Sequence, residues 1–107
     1  MTSSMLALVV RFDLRPGSEI AFDDLVASTV TRIQSEEPGT LLYLCHRVET
    51  EPTARIFYEL YRDREAFQAH EDQPHVKAFH AERKQYMAGP DRVEFLDRTD
   101  GKGWPAT

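Results

Sequence analysis

The stretch RIFYELYRDREAFQAHEDQPH (Arg55–His75) contains a strand, a helix and a helix break in direct succession. Side chains alternate along Arg55–Tyr61, which predicts a strand with Ile56, Tyr58 and Leu60 on one face and Phe57, Glu59 and Tyr61 on the other. A short helix from about Arg64 to Glu71 follows. Pro74 interrupts that helix because proline cannot continue it. The stretch therefore joins a strand to a helix and carries two histidines, His70 and His75.

The residues before this stretch predict a strand, a helix and a second strand. Met5–Leu14 alternates as a strand does, and apolar residues from Phe22 to Ile33 recur with the period of a helix. Glu37-Pro38-Gly39 ends the helix, because proline restricts the residue before it and glycine permits a turn. Thr40–Val48 predicts the second strand, and the polar residues 49–53 predict a turn into the third.

The residues after this stretch predict another helix and a fourth strand. Apolar residues continue at helical spacing from Val76 to Met87, with His80 among them, until Ala88-Gly89-Pro90 ends the helix. Arg92–Asp97 predicts the fourth strand. We expect residues 1–98 to form one domain and residues 99–107 to form a tail. This tail is expected to be loosely ordered or to contact a partner subunit through Trp104.

The predicted order of elements is strand, helix, strand, strand, helix, strand. This is the ferredoxin-like split βαβ arrangement of the α+β class, in which two helices cover one face of an antiparallel sheet. The other face is left bare, and we expect Val9, Tyr43, Phe57 and Tyr61 to lie on it. Because monomers rarely expose so large an apolar patch, the sequence predicts a two-fold homodimer formed through that sheet face.

Composition and charge exclude several classes of partner. The net charge of −5 is spread along the chain without a basic block, so we expect no nucleic acid partner. The apolar run Met5–Val10 is far shorter than the ~20 residues that span a bilayer. We therefore expect a soluble, cytoplasmic protein that does not enter a membrane. The lone cysteine, Cys45, predicts a small buried apolar side chain rather than a nucleophile.

Several short motifs, in this order and spacing, carry a resemblance to a known family. They are Arg15-Pro16-Gly17, Glu37-Pro38-Gly39, Tyr43, Phe57-Tyr58-Glu59-Leu60-Tyr61, Ala69-His70 and Pro74-His75-Val76-Lys77-Ala78-Phe79. Together they span roughly residues 5 to 97. In these motifs the sequence resembles the antibiotic biosynthesis monooxygenase superfamily of dimeric α+β barrels, and most closely its small quinol-monooxygenase-type members.

The resemblance implies a monooxygenase that needs no cofactor and acts on a small quinol or polyphenol. Haem-degrading relatives pair an asparagine on the first strand with a tryptophan and a haem-binding histidine. Their tryptophan falls on His70 and their histidine on His80, and this chain has no asparagine. We therefore do not expect haem degradation. The missing asparagine also argues against the substrate of the anthrone-oxidising relatives.

His70 is the candidate general base. An imidazole changes charge near neutral pH, so it can take a proton from a phenol if a carboxylate orients it. We expect Glu59 to be that orienting partner, or else to pair with Arg11 across the sheet. The other candidate residues would bind the aromatic substrate: Tyr43, Phe57 and Tyr61 as walls, with His80 and Arg11.

The remaining histidines have less specific interpretations. The position of His75 directly after Pro74 predicts a local structural or surface residue. His46 shares strand parity with Leu42 and Leu44, which predicts the helix-covered layer or its rim. On one continuous helix, His70, His75 and His80 would each be turned by roughly 140° from the last, so we expect no metal site.

Two further functions remain open. One is a non-catalytic dimer that binds a small ligand or stabilises a partner protein. The other is an isomerase or lyase that uses the same histidines without oxygen.

Overall fold

The computed structural model describes residues 5–103 and contains a four-stranded sheet with helices on one face. This confirms the predicted α+β order, with the second helical segment divided at Pro74. The elements are β1 (Leu6–Asp13), α1 (Glu19–Glu36), β2 (Thr40–Val48), β3 (Glu51–Tyr61), α2 (Arg64–Glu71), α3 (Pro74–Glu82), a 3₁₀ helix (Arg83–Tyr86) and β4 (Arg92–Leu96).

The bounds of β1 and β4 differ from the prediction by one residue at one or both ends, and two other elements differ by more. β3 begins at Glu51 rather than Arg55, because the turn after β2 is tight and Val48 already pairs with Glu51. The predicted last helix narrows to a 3₁₀ helix at Arg83, so α3 ends before Tyr86. At the junction of α2 and α3, Gln73 has extended backbone angles and Pro74 occupies the first turn of α3. The chain direction therefore changes between His70 and His75.

The strands are antiparallel in the order β2-β3-β1-β4, and their register decides which side chains face the helices. Leu8 pairs with both Glu59 and Phe95, and Tyr43 also pairs with Glu59. Leu8 and Glu59 are buried on the helix-covered face. Since side chains alternate along a strand, Tyr43, Phe57 and Tyr61 share that face.

The prediction that Tyr43, Phe57 and Tyr61 lie on the bare face is therefore wrong. Of the four residues assigned there, Val9 alone has the parity of the open face. The alternation of side chains shows which residues of a strand share a face, but it does not show which face the helices cover. For Phe57, Glu59 and Tyr61 the covered face was therefore assigned incorrectly. The same register places His46 opposite Ile56 on the open face, not in the helix-covered layer. Cys45 is exposed rather than buried.

Aromatic side chains fill the layer between the sheet and the helices. The ring of Phe12 lies 4.8 Å from Phe57 and 5.4 Å from Phe22, so one cluster joins β1, β3 and α1. The guanidinium of Arg83 lies 5.0 Å from the Phe12 ring centroid and 5.1 Å from that of Phe79. Cation–π attraction thus holds the 3₁₀ helix against the core.

The turn before β2 is pressed against α2. A Cβ atom at Gly39 would lie 2.6 Å from the Cβ of Ala66, closer than such atoms approach. The amide N–H of Arg62 donates to the carbonyl of Gly39, and the Asp63 side chain caps α2 by accepting from the Ala66 N–H. This contact brings the turn that contains Glu37 beside the helix that contains His70.

The remaining predictions concern the tail and the membrane. Residues 97–103 form neither helix nor strand, and Trp104 lies outside the described residues, so its contact with a partner stays a prediction. Within residues 5–103, every helix is too short or too polar to cross a bilayer.

Replacing Gly39 with alanine should weaken the fold. The added methyl overlaps Ala66 and must push the turn and α2 apart, which we expect to cost about 1–3 kcal/mol in the free energy of unfolding. Urea unfolding of Gly39→Ala measures this cost. Gly89→Ala is the matched control, because a Cβ there meets no atom within 4 Å and Gly89 has no positive φ. Equal urea midpoints for the two variants would contradict the close contact.

Candidate functional site

A cavity of about 340 Å³ lies between the sheet and the helical segment that follows β3. This volume is within the range of small-molecule sites. Its apolar wall is formed by Leu8, Val10, Phe12, Phe67, Val93 and Phe95. Its polar groups are Tyr43, Glu59, His70, Glu71, His80, Arg83 and Asp91.

The structure brings part of the predicted site together at this cavity. Tyr43, Glu59, His70 and His80 line it. Tyr61 is fully buried and packs against the His70 ring, with 5.1 Å between ring centroids, while Phe57 belongs to the aromatic core.

Arg11 lies apart from the cavity. Its side chain extends from the open face of the sheet, where its guanidinium donates to Asp13 and Glu51. The expected pairing of Glu59 with Arg11 is therefore wrong, and a substrate in this cavity would not reach Arg11.

The carboxylate beside His70 is Glu37, not Glu59. Nδ1 of His70 lies 2.6 Å from Oε1 of Glu37, and Nε2 of His75 lies 2.5 Å from Oε2 of the same residue. The hydroxyl of Thr40 also donates to Oε1, at 2.7 Å. The side chains of Glu37, His70 and His75 are only 3%, 3% and 8% exposed. The predicted orienting contact of Glu59 is thus made by Glu37, and His75 joins it.

The environment of Glu37 favours its ionised form. Burial raises the pKa of this carboxyl, but the hydrogen bonds from His70, Thr40 and His75 outweigh burial, and the net shift is downward. A buried carboxylate that accepts three hydrogen bonds has its charge compensated in place. Glu37 therefore supplies a fixed negative charge behind the His70 ring.

The environment of Glu59 shifts its pKa in the opposite direction. Burial raises the pKa of its carboxyl, and the hydrogen bond from Tyr61 and the positive charge of Arg83 reduce that rise without cancelling it. The Tyr61 hydroxyl donates to Oε1 of Glu59 at 2.5 Å. Burial and the adjacent Glu59 in turn raise the pKa of the Tyr61 phenol. Glu59 therefore holds its proton to higher pH than an exposed glutamate.

Aromatic rings hold the His70 imidazole from two sides. Tyr43 lies 5.5 Å and Tyr61 lies 5.1 Å from it, measured between ring centroids. Since Glu37 engages Nδ1, Nε2 is the ring nitrogen left for a ligand in the cavity. In this arrangement, Nε2 of His70 can exchange a proton with a hydroxyl group on an aromatic ring.

Charged residues surround the outer part of the cavity. Arg83 pairs with Asp91 at 3.0 Å, and Nε2 of His80 lies 3.9 Å from Glu71. Burial, followed by the charge of Arg83, lowers the pKa of His80. His80 is thus biased toward its neutral form, in which one ring nitrogen can donate a hydrogen bond and the other can accept one.

Sequence reasoning missed Glu37, the rim residues Glu71, Arg83 and Asp91, and the apolar wall from Phe67 and β4. Glu37 was assigned only to a turn, and its histidine partners are 33 and 38 residues away. No local pattern reports such a contact. Among residues 5–103, no group of three or more His, Cys, Asp or Glu side chains is arranged to hold a metal ion.

Replacing Glu59 with glutamine should stabilise the protein above neutral pH. Below the ordinary glutamate pKa, about 4.5, the carboxyl is protonated in folded and unfolded chains alike. As pH rises through the higher folded pKa, wild type loses stability because the buried group must ionise, whereas glutamine does not. We expect Glu59→Gln to raise Tm by roughly 2–5 °C at about pH 8, which is on the order of 1 kcal/mol for a domain of this size, and by nothing near pH 4.

Thermal unfolding across this pH range measures the difference. Glu49→Gln is the matched control, because Glu49 is exposed in the turn after β2 and should change Tm little at any pH. A Tm difference for Glu59→Gln that stays constant with pH would rule out a raised pKa in the folded protein.

Comparison with known proteins agrees with this fold. Residues 5–82 match the sequence model of the family described as antibiotic biosynthesis monooxygenase. No curated protein sequence matches the chain.

Solved structures give the same result. A Caulobacter crescentus CB15 protein, provisionally described as an antibiotic biosynthesis monooxygenase, is 26% identical over 92% of each chain, with a TM-score of 0.86. Rv0793 from Mycobacterium tuberculosis is 25% identical, over 94% of this chain and 100% of that one, with a TM-score of 0.85. A Nitrosomonas europaea protein shares the fold at 19% identity, over 96% and 98% of the two chains, with a TM-score of 0.85. Because the family match covers most of the sequence and the fold agrees with it, the chain belongs to the antibiotic biosynthesis monooxygenase family.

Proposed function

We propose that the protein is a cofactor-independent monooxygenase that oxidises a small quinol or polyphenol in the cavity beside His70. The observation that carries the proposal is one imidazole at an aromatic-lined cavity, with Nδ1 bonded to a buried carboxylate and Nε2 left for a ligand. Family membership supports a monooxygenase reaction, and the aromatic wall supports a flat aromatic substrate.

In the proposed reaction, Nε2 of His70 takes the proton of a quinol hydroxyl. The resulting electron-rich anion passes electrons to dioxygen, which then adds to the ring. One oxygen atom stays on the ring and the other leaves as water, so a quinol and O₂ give a hydroxyquinone and water. The substrate supplies all the electrons, and the balance needs no added reductant.

The apolar residues of the cavity lower the polarity around the anion. Leu8 and Val10 present a floor from β1, and Phe67 and Phe95 contact each other at its side, with 5.7 Å between ring centroids. Low polarity strengthens the interaction between the protonated imidazole and the substrate anion. The same surroundings favour the entry of dioxygen, which is itself apolar.

Oxygen consumption by metal-free protein tests the reaction and the base. With a panel of quinols, wild type should consume oxygen, and His70→Ala should lower kcat by about 100-fold or more, as expected for loss of a general base. His46→Ala is the matched control, because His46 lies on the open face of the sheet and should retain activity. Cooperative thermal unfolding of each variant shows that it is folded.

Three results would overturn parts of the proposal. No oxygen uptake by wild type would exclude the oxygenase reaction for that panel. Full activity in His70→Ala would exclude His70 as the base. Turnover without oxygen would instead favour an isomerase or lyase on the same histidine.

We also propose that two copies associate through the open face of the sheet. Its register places apolar side chains there, including Val9, Leu42, Leu44, Ile56 and Tyr58, and Leu44 is exposed. A second copy would remove this surface from water. Such pairing of two sheets is the dimeric barrel that the resemblance implies.

A charge at Leu44 should dissociate this dimer. We expect Leu44→Arg to shift the sedimentation of the protein from dimer to monomer, because an unpaired charge in the interface is costly. Ile20→Arg is the control, since Ile20 is 78% exposed on α1 and lies away from the open face. A wild-type monomer, or a Leu44→Arg dimer, would exclude association through this face.

A further inference from the structure

We propose that Glu37 and His75 are positioning residues that hold His70 in one tautomer, with its hydrogen on Nδ1 and an unprotonated Nε2 presented to the cavity. The inference rests on the proposed use of His70 as a base. It adds two residues to that site, neither of which needs to touch substrate.

Both histidine contacts to the Glu37 carboxylate need a hydrogen from the imidazole ring. An ionised carboxylate accepts hydrogen bonds and donates none. Nδ1 of His70 at 2.6 Å and Nε2 of His75 at 2.5 Å must therefore each carry the hydrogen of their contact. For a neutral His70 ring this fixes the hydrogen on Nδ1 and leaves Nε2 as an acceptor.

His75 carries its ring hydrogen on Nε2. Its Nδ1 is buried and makes no hydrogen bond to any side chain or backbone group between residues 5 and 103. A hydrogen on that nitrogen would be a buried donor without a partner, which is costly. His75 is therefore a neutral donor through Nε2, and Glu37 keeps its negative charge for His70.

The Glu37 carboxylate is held in one orientation. Glu37 belongs to the turn that Gly39 presses against Ala66 of α2, and Thr40 at the start of β2 holds the same oxygen that faces His70. His75 reaches the second oxygen from α3. With both oxygens held from separate elements, the carboxylate cannot rotate away from His70.

The Glu37 carboxylate also stabilises the positive charge that His70 gains when it acts as a base. When Nε2 accepts a proton, the ring becomes positive and Nδ1–H remains bonded to the negative carboxylate. The charge that forms on His70 is thus stabilised in place by Glu37. A neutral amide at position 37 loses this charge, and its NH₂ group can instead donate to Nδ1 and shift the hydrogen to Nε2.

The tautomer can be measured without any substrate. In protein labelled with ¹⁵N-histidine, we expect the neutral form of the His70 ring to show a protonated Nδ1 and an unprotonated Nε2, with a downfield Nδ1–H proton signal. This signal should vanish or move strongly in Glu37→Gln. Glu36→Gln is the matched control, because it makes the same charge change one residue earlier, where the side chain pairs with Arg32 on the surface.

Activity gives the second readout. Glu37→Gln should lower kcat by about 100-fold with less than a threefold change in KM, since the substrate still fits the cavity but the base is lost. His75→Phe should lower kcat in the same way. His75→Gln should retain most of the activity and the Nδ1–H signal, because its amide can still donate to Glu37.

The outcomes separate the two proposals. A hydrogen on Nε2 of His70, or a signal unchanged in Glu37→Gln, overturns the positioning role whatever the activity. The expected spectrum in a wild type that consumes no oxygen with any quinol leaves the positioning pair standing and overturns the oxygenase. Equal kcat losses in His75→Gln and His75→Phe would overturn the role of His75 as a donor.

Discussion

The buried carboxylate of Glu37 is the interaction on which the site depends. A carboxylate without water is expensive unless hydrogen bonds replace its hydration. Here Thr40 of β2, His70 of α2 and His75 of α3 supply them, so three elements converge on one residue of the turn before β2. Removing one donor would leave a charge that the remaining contacts compensate less well. The charge therefore fixes α2 and α3 to the start of β2 more specifically than apolar packing would.

The helix break at Pro74 is what makes this convergence possible. On a continuous helix, residues five apart point roughly 140° away from each other, and one carboxylate could not reach both histidines. Extended backbone at Gln73 and a new helix from Pro74 turn His75 back toward His70. Pro74 therefore does more than end α2, because the new helix that it starts brings His75 close to His70.

The sequence predicted the elements better than their surroundings. The bounds of β2 and α2 follow from local patterns, namely apolar runs and turn residues, and the structure has them as predicted. The residues on the two faces of β3 were separated correctly, but each face was assigned to the wrong side of the sheet. The alternation of side chains does not show which side the helices cover. The place of His70 on α2 follows from the local sequence pattern. Finding Glu37 required a contact across 33 residues of sequence, which is a property of the fold.

The two carboxylates near His70 show why this cavity is more than a packing defect. Glu37 has three donors and a lowered pKa, whereas Glu59 has one, from Tyr61, and a raised pKa. Two titratable groups driven in opposite directions around one imidazole are a hallmark of acid–base sites. A scaffold selected for stability alone would gain by placing an apolar side chain at position 59, since a buried glutamate with one partner opposes folding at neutral pH. Glu59 lies in the cavity wall, and a carboxyl with a perturbed pKa at a cavity is a candidate for contact with a polar group of a ligand. In the proposed reaction, Glu37 would act from behind His70 and Glu59 would face the substrate, and the difference between their environments would give the imidazole a direction for proton transfer.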